Sequence, residues 1–184
     1  MTQSAPAAAI VYPTPRGQHV DALLADVASW LRTLGYRLAG SVQVNDAKPG
    51  RRRTNITLRD LGSGMLIRIS EDRGRGARGC HLDYASFVSA VELTARGLEG
   101  GAVVNKFGKR EVEGGGYRCV IEHAMECCIP VLVAVRLEHE PALRAYAGAL
   151  FGALPLDIAQ VRTWCLRVVG RKGRSFAASV TSSA

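Results

Sequence analysis

The sequence predicts an α/β fold: a layered, mostly parallel sheet with an inserted β-hairpin and helices on both faces. Three observations carry that expectation. The short apolar runs at residues 8–12, 102–104 and 129–135 have the length and composition of strands buried on both faces. Several segments between and after them repeat apolar residues at helical spacing. Residues 54–70 alternate apolar and polar side chains around Gly62-Ser63-Gly64, which predicts a hairpin.

Taken in order, residues 1–7 read as a flexible tail and 8–169 as a single domain. Residues 8–12 form a first buried strand, closed by the prolines of Pro13-Thr14-Pro15-Arg16-Gly17. Val20, Leu23, Leu24, Val27, Leu31 and Leu34 then mark one face of a helix over residues 20–34, which Gly35 ends. Residues 36–44 are a second strand, and the loop after them carries Lys48, Arg51, Arg52 and Arg53. Beyond the hairpin, Arg73, Arg75 and Arg78 lie in a glycine-rich cationic loop, and Asp83 caps a helix over residues 84–96.

Residues 102–104 are a strand that empties into the polar loop Asn105-Lys106-Phe107-Gly108-Lys109-Arg110 and the glycines 114–116. Helices follow over residues 117–128, 137–150 and 156–169, with the strand at 129–135 between the first two. Residues 170–184 read as a basic mobile tail.

Charge points to the ligand class. Lys and Arg number 24 against 16 Asp and Glu in 184 residues, a formal charge of +8, so the surface field favours anions. In a parallel sheet, ligands bind outside the carboxyl ends of the strands. Asn105, Lys106, Lys109 and Arg110 follow such a strand, and Arg16 with Gly17 follows another. Arg78 and Gly79 precede a helix start, where backbone amides and arginines make an anion clamp. The plainer reading is a set of solvated basic loops.

Other classes are disfavoured. The triple arginine has no stacking aromatics near it, which argues against nucleic acid. The five cysteines lack metal-finger spacing, and Cys80-His81 has no second pair, so free thiols in a reducing cytosol and no metal are expected. No apolar run approaches the ~20 residues that span a bilayer, and nothing resembles a signal peptide. The expectation is a soluble, cytoplasmic protein.

The first loop also lacks the phosphate-binding pattern G-x-x-x-x-G-K-[ST]. It has one glycine, no lysine, and no Ser or Thr after that glycine.

Asn105-Lys106-Phe107-Gly108-Lys109-Arg110-Glu111, Glu113-Gly114-Gly115-Gly116 and Pro130-Val131-Leu132 together resemble a bacterial domain family of unknown function. That family is grouped with the P-loop nucleoside triphosphatases. Arg78-Gly79-Cys80-His81-Leu82-Asp83 is similar to its segment before the middle helix, and the resemblance covers nearly the whole chain. It implies a P-loop-NTPase-like fold and, through family members found beside molybdate uptake, a tetrahedral oxyanion as ligand.

More distantly, the chain is similar to small nucleoside triphosphatases of the thermophilic type. Their Asp-Glu-Ile-Gly-Lys motif serves magnesium and the attacking water. Asn105 and Lys106 stand in the two acidic positions here, while Gly108 and Lys109 match. With both motifs altered, the expected function is non-hydrolytic binding of a nucleotide phosphate or a molybdate-type oxyanion.

The expected site comprises Arg16, Gly17, Arg78, Gly79, Asn105, Lys106, Gly108, Lys109, Glu111, Gly114 and Gly115. Glu111 and Glu113 either orient the cations or are simply solvated. Two alternatives stand beside this. One is a phosphohydrolase in which Lys106 replaces the loop lysine and Glu111 or Glu113 holds the metal. The other is a regulatory or accessory module that acts on a protein partner, its pocket vestigial.

Overall fold

The computed structural model describes residues 7–46, 55–70, 82–98 and 102–180. The arginine clusters at 51–53 and 73–78, together with Arg78 and Gly79 of the expected site, lie outside the described residues.

β1 (Ala7–Tyr12) leads through a single 3-10 turn into α1 (Gly17–Thr33). β2 (Leu38–Asp46), β3 (Asn55–Asp60) and β4 (Leu66–Arg68) follow, then α2 (Tyr84–Arg96) and β5 (Ala102–Phe107). After β5 come α3 (Lys109–Val112), α4 (Arg118–Glu126) and β6 (Val131–Arg136). The chain closes with α5 (Glu140–Ala147), β7 (Phe151–Leu154) and α6 (Ile158–Val180).

The sheet has seven strands in the order β4-β3-β2-β5-β6-β1-β7. β1 runs parallel to β6 and β7, and β5 runs parallel to β6 and β2. The β3–β4 hairpin adds antiparallel strands beyond β2. This is the expected α/β fold with an inserted hairpin. Side chains alternate across the strands, so the core divides in two. Ile10, Val42, Leu132 and Ala134 pack under α1 and α6 on one face. Ala39, Val131, Val133, Val135 and Phe107 pack under α2, α4 and α5 on the other.

Several boundaries differ from the sequence reading, among them β2, read over 36–44 and observed over Leu38–Asp46. α1 begins at Gly17, three residues early, directly after the 3-10 turn over Thr14–Arg16. β5 continues through Asn105, Lys106 and Phe107 instead of breaking into a loop after Val104, since these residues pair with Val133, Ala134 and Val135 of β6. The helix expected over 137–150 is α5 between two 3-10 turns, and β7 follows it where no strand was expected. The last helix runs past Val169.

Asp83 caps α2 as expected: its Oδ1 accepts from the Ser86 N–H at 3.2 Å and its Oδ2 from the Ser86 hydroxyl at 2.6 Å. The side-chain and backbone bonds from Ser86 hold the Asp83 carboxyl below its ordinary value of 3.8. A depressed carboxylate contributes stability above its ordinary pKa and loses it as pH falls through the folded value. Asp83→Ala should therefore lower the melting temperature at neutral pH. Its deficit against wild type in thermal unfolding should narrow as pH drops below 3.8.

Candidate functional site

The alternation of β5 sends its two polar residues to opposite faces of the sheet. Asn105 faces α2 and α4 and is 3% exposed. Its Oδ1 accepts from the Lys106 N–H at 2.8 Å and from the Ser41 hydroxyl at 3.3 Å. Ser41 Oγ lies 2.9 Å from the Tyr117 hydroxyl, so β2, β5 and the start of α4 share one buried polar chain. Burial raises the Tyr117 phenol, which stays protonated. Asn105 Nδ2 is buried without a hydrogen-bond partner among the described residues.

Lys106 points the other way, toward α1, where its ammonium forms an ion pair with Asp21. Asp21 is itself buried and sits in line with Leu24, Ala28 and Leu31 on the inner stripe of that helix.

Past Gly108 the chain makes the single turn of α3, and Glu111 holds it in place. The carboxylate is 4% exposed. Oε2 accepts from the Gly108 N–H at 2.8 Å and Oε1 from the Tyr117 N–H at 3.0 Å. Burial pushes the Glu111 carboxyl up, and the two amide donors offset part of that. Gly116 turns with φ +61, and a Cβ there would lie 2.2 Å from Glu111 Oε1. Glycine is required at this position on both counts.

Lys109 and Arg110 share one carboxylate, Glu113, at 3.7 and 3.3 Å. The Arg110 guanidinium also lies 5.3 Å over the Tyr84 ring. Glu113 thus orients the two cations, and one positive charge remains in excess over the trio.

These elements enclose a half-open cavity of about 260 Å³. Asn105, Lys106, Gly108, Lys109 and Glu111 of the expected site line it, with Ser41, Arg110, Glu113 and Tyr117. Leu58, Ile69, Leu82 and Phe87 supply apolar wall. Arg16, Gly17, Gly114 and Gly115 are not part of that lining. Arg16 is exposed on the β1–α1 turn. Gly114 turns with φ +92 on the outer side of the loop after α3, and the Gly115 N–H donates to the Arg110 carbonyl at 2.9 Å.

Sequence reasoning missed Asp21, Ser41, Tyr117 and the apolar walls. One signal was there: Asp21 is a charge within the apolar stripe of its own helix, a position that requires a partner.

With this geometry in view, the family can be assigned. The profile of a family described as a protein of unknown function, DUF2478, matches residues 7–164. The chain belongs to the DUF2478 family. It is also 32% identical over 148 residues to the molybdenum import ATP-binding protein ModC 2 of Bradyrhizobium diazoefficiens. That region is 79% of this chain but only 16% of the relative's length. The solution structure of a human cancer-related nucleoside triphosphatase superposes with a TM-score of 0.53 at 15% identity, covering 97% of this chain and 98% of the other. The fold of this DUF2478 chain is therefore P-loop-NTPase-like.

Its β1–α1 connection has no phosphate-wrapping loop. Pro13 and Pro15 carry no N–H, and the Arg16 N–H donates to the Pro13 carbonyl at 2.9 Å. Gly17 has helical dihedrals, φ −55, and open space where a Cβ would go. The glycine there answers no steric demand.

Two stability measurements separate the structural roles. Gly116→Ala should cost about 2–3 kcal/mol in urea unfolding, while Gly17→Ala should be neutral or slightly stabilising. Lys106→Met, which removes the ammonium paired with the buried Asp21 carboxylate, should cost about 2 kcal/mol, discounted for the quarter of the lysine that is exposed. Adding Asp21→Asn should recover at least half of that loss.

Proposed function

We propose that this chain is a non-hydrolytic binding protein of P-loop-like fold that holds a small anion at the carboxyl end of β5. The ligand is a nucleotide phosphate or a molybdate-type oxyanion. The observation that carries the reading is the cation excess at the cavity rim, where Lys109 and Arg110 face a single carboxylate. Charge-assisted donors at the edge of a partly enclosed site favour anions.

Triphosphate hydrolysis asks for a carboxylate able to take magnesium and a lysine able to reach the phosphates. Here Asp21 and Lys106 engage each other, and both Glu111 oxygens accept backbone N–H groups. This supports binding without turnover. The molybdenum-import relative supports the oxyanion side of the reading.

That relative also favours a second reading. The matched region is a small part of a longer protein, as expected of an accessory module that acts through protein contacts.

A thermal-shift panel separates the two. It sets ATP, GTP and ADP, with and without magnesium, beside phosphate, molybdate and tungstate. A ligand at ~100 times its dissociation constant adds about 2.7 kcal/mol, which raises the melting temperature by several degrees. The binding reading expects a magnesium-independent shift that Lys109→Ala and Arg110→Ala reduce. It also expects no phosphate release above buffer from any nucleotide. A flat panel favours the accessory module, and magnesium-dependent phosphate release overturns the non-hydrolytic claim.

A further inference from the structure

The cavity beside β5 is more than a seat for a bare anion. Its volume of about 260 Å³ is many times what a single water needs. Leu58 and Ile69 wall it from the hairpin side, and Leu82 and Phe87 from the α2 side. A tetrahedral oxyanion has no use for such walls and would leave most of the space to water. Among the described residues, the cations of the lining are Lys109 and Arg110 on α3, and Lys106, whose ammonium pairs with Asp21 on the other face.

The decisive group is Asn105. The Lys106 N–H can only donate, so the atom it meets at 2.8 Å must be the Asn105 oxygen. That fixes the orientation of the amide and leaves its NH₂ on the other side, buried and without a partner among the described residues. A buried donor in that state calls for an acceptor, which a ligand in the cavity supplies. Ser41 and Tyr117 brace the same amide and prevent it from turning to satisfy itself.

We infer that the cavity takes a heterocycle bearing a ring carbonyl, its oxygen accepting from Asn105 Nδ2 and its flat body against the apolar walls. An attached anionic group rests at Lys109 and Arg110. The inference rests on the anion-binding reading for its charged half. It narrows the ligand from any small anion to one carried on a nucleobase-like ring. It also places that ring between β2, β5 and α2, away from the β1–α1 turn.

Calorimetric titration of the full chain tests this with GMP, UMP, guanosine, uridine, ribose 5-phosphate and inorganic phosphate. GMP or UMP should bind at least tenfold tighter than ribose 5-phosphate. Leu82→Trp fills the cavity from a half-buried position and should remove that advantage while ribose 5-phosphate binding persists. Asn105→Asp replaces the donor by an acceptor and should remove it too, which keeps the test decisive if the tryptophan variant fails to fold. Equal affinity for GMP, UMP and ribose 5-phosphate overturns the ring site and leaves the anion reading intact. Guanosine or uridine binding as tightly as its monophosphate supports the ring site and overturns the anion reading. If none of the six binds, the ring site is overturned, and a null result with molybdate as a seventh titrant overturns the anion reading as well.

Discussion

A carboxylate removed from water must be given donors, and Glu111 takes its donors from both ends of the loop it sits in. The Gly108 N–H lies at the exit of β5 and the Tyr117 N–H at the entry to α4. Bridging them makes a one-turn helix out of a segment too short to be stable alone. Everything on that side of the cavity follows. Lys109 and Arg110 project from the turn, and Gly116 is compelled to be glycine. Tyr117 arrives where its hydroxyl meets Ser41 and, through it, Asn105. The charge at position 111 thus acts as a backbone fastener. An expectation that it orients cations or stands in solvent suits Glu113, not Glu111.

The second constraint is the alternation of β5. Adjacent residues on a strand face opposite sides, so Asn105 and Lys106 cannot act as one polar pair. The amide joins a buried neutral network, and the lysine crosses to α1 and neutralises Asp21. The carboxyl end of β5 therefore places no carboxylate on either face of the sheet. Positive charge concentrates one turn further along the chain, where Lys109 and Arg110 outnumber Glu113.

Much of the fold was legible because local signals agreed. α2 was read at its observed bounds with Asp83 as its cap, and Gly97 closes its other end. β1 and β6 were legible as unbroken apolar runs. β7 was not: Phe151–Leu154 holds a glycine, is only four residues long, and becomes a strand by pairing with β1. α3 was illegible for a similar reason, since its support comes from amides that only the folded chain brings to Glu111. Of the site, the cationic segment 105–111 was visible as charge after an apolar run. The partners were not, because Asp21, Ser41 and Tyr117 come from separate elements and meet only through the sheet order. Gly17 follows the first strand in the sequence, and its dihedrals are those of an ordinary helix.

The placement of β1 has a consequence for how the chain is made. β1 is the last but one strand of the sheet, between β6 and the edge strand β7, so Ala7 meets Val131 on one side and Phe151 on the other. As the polypeptide leaves the ribosome, the β1 segment has no neighbouring strand of this sheet to pair with until residue 131 has been added. Closing so long a loop is entropically costly, and sheets built from distant strands assemble slowly. The half of the sheet formed by β2, β3 and β4 draws on nearby sequence and can form early. The nascent chain thus exposes an unpaired Ala- and Ile-bearing strand until β6 is made, which makes that segment a natural client for chaperones that shield extended apolar peptides.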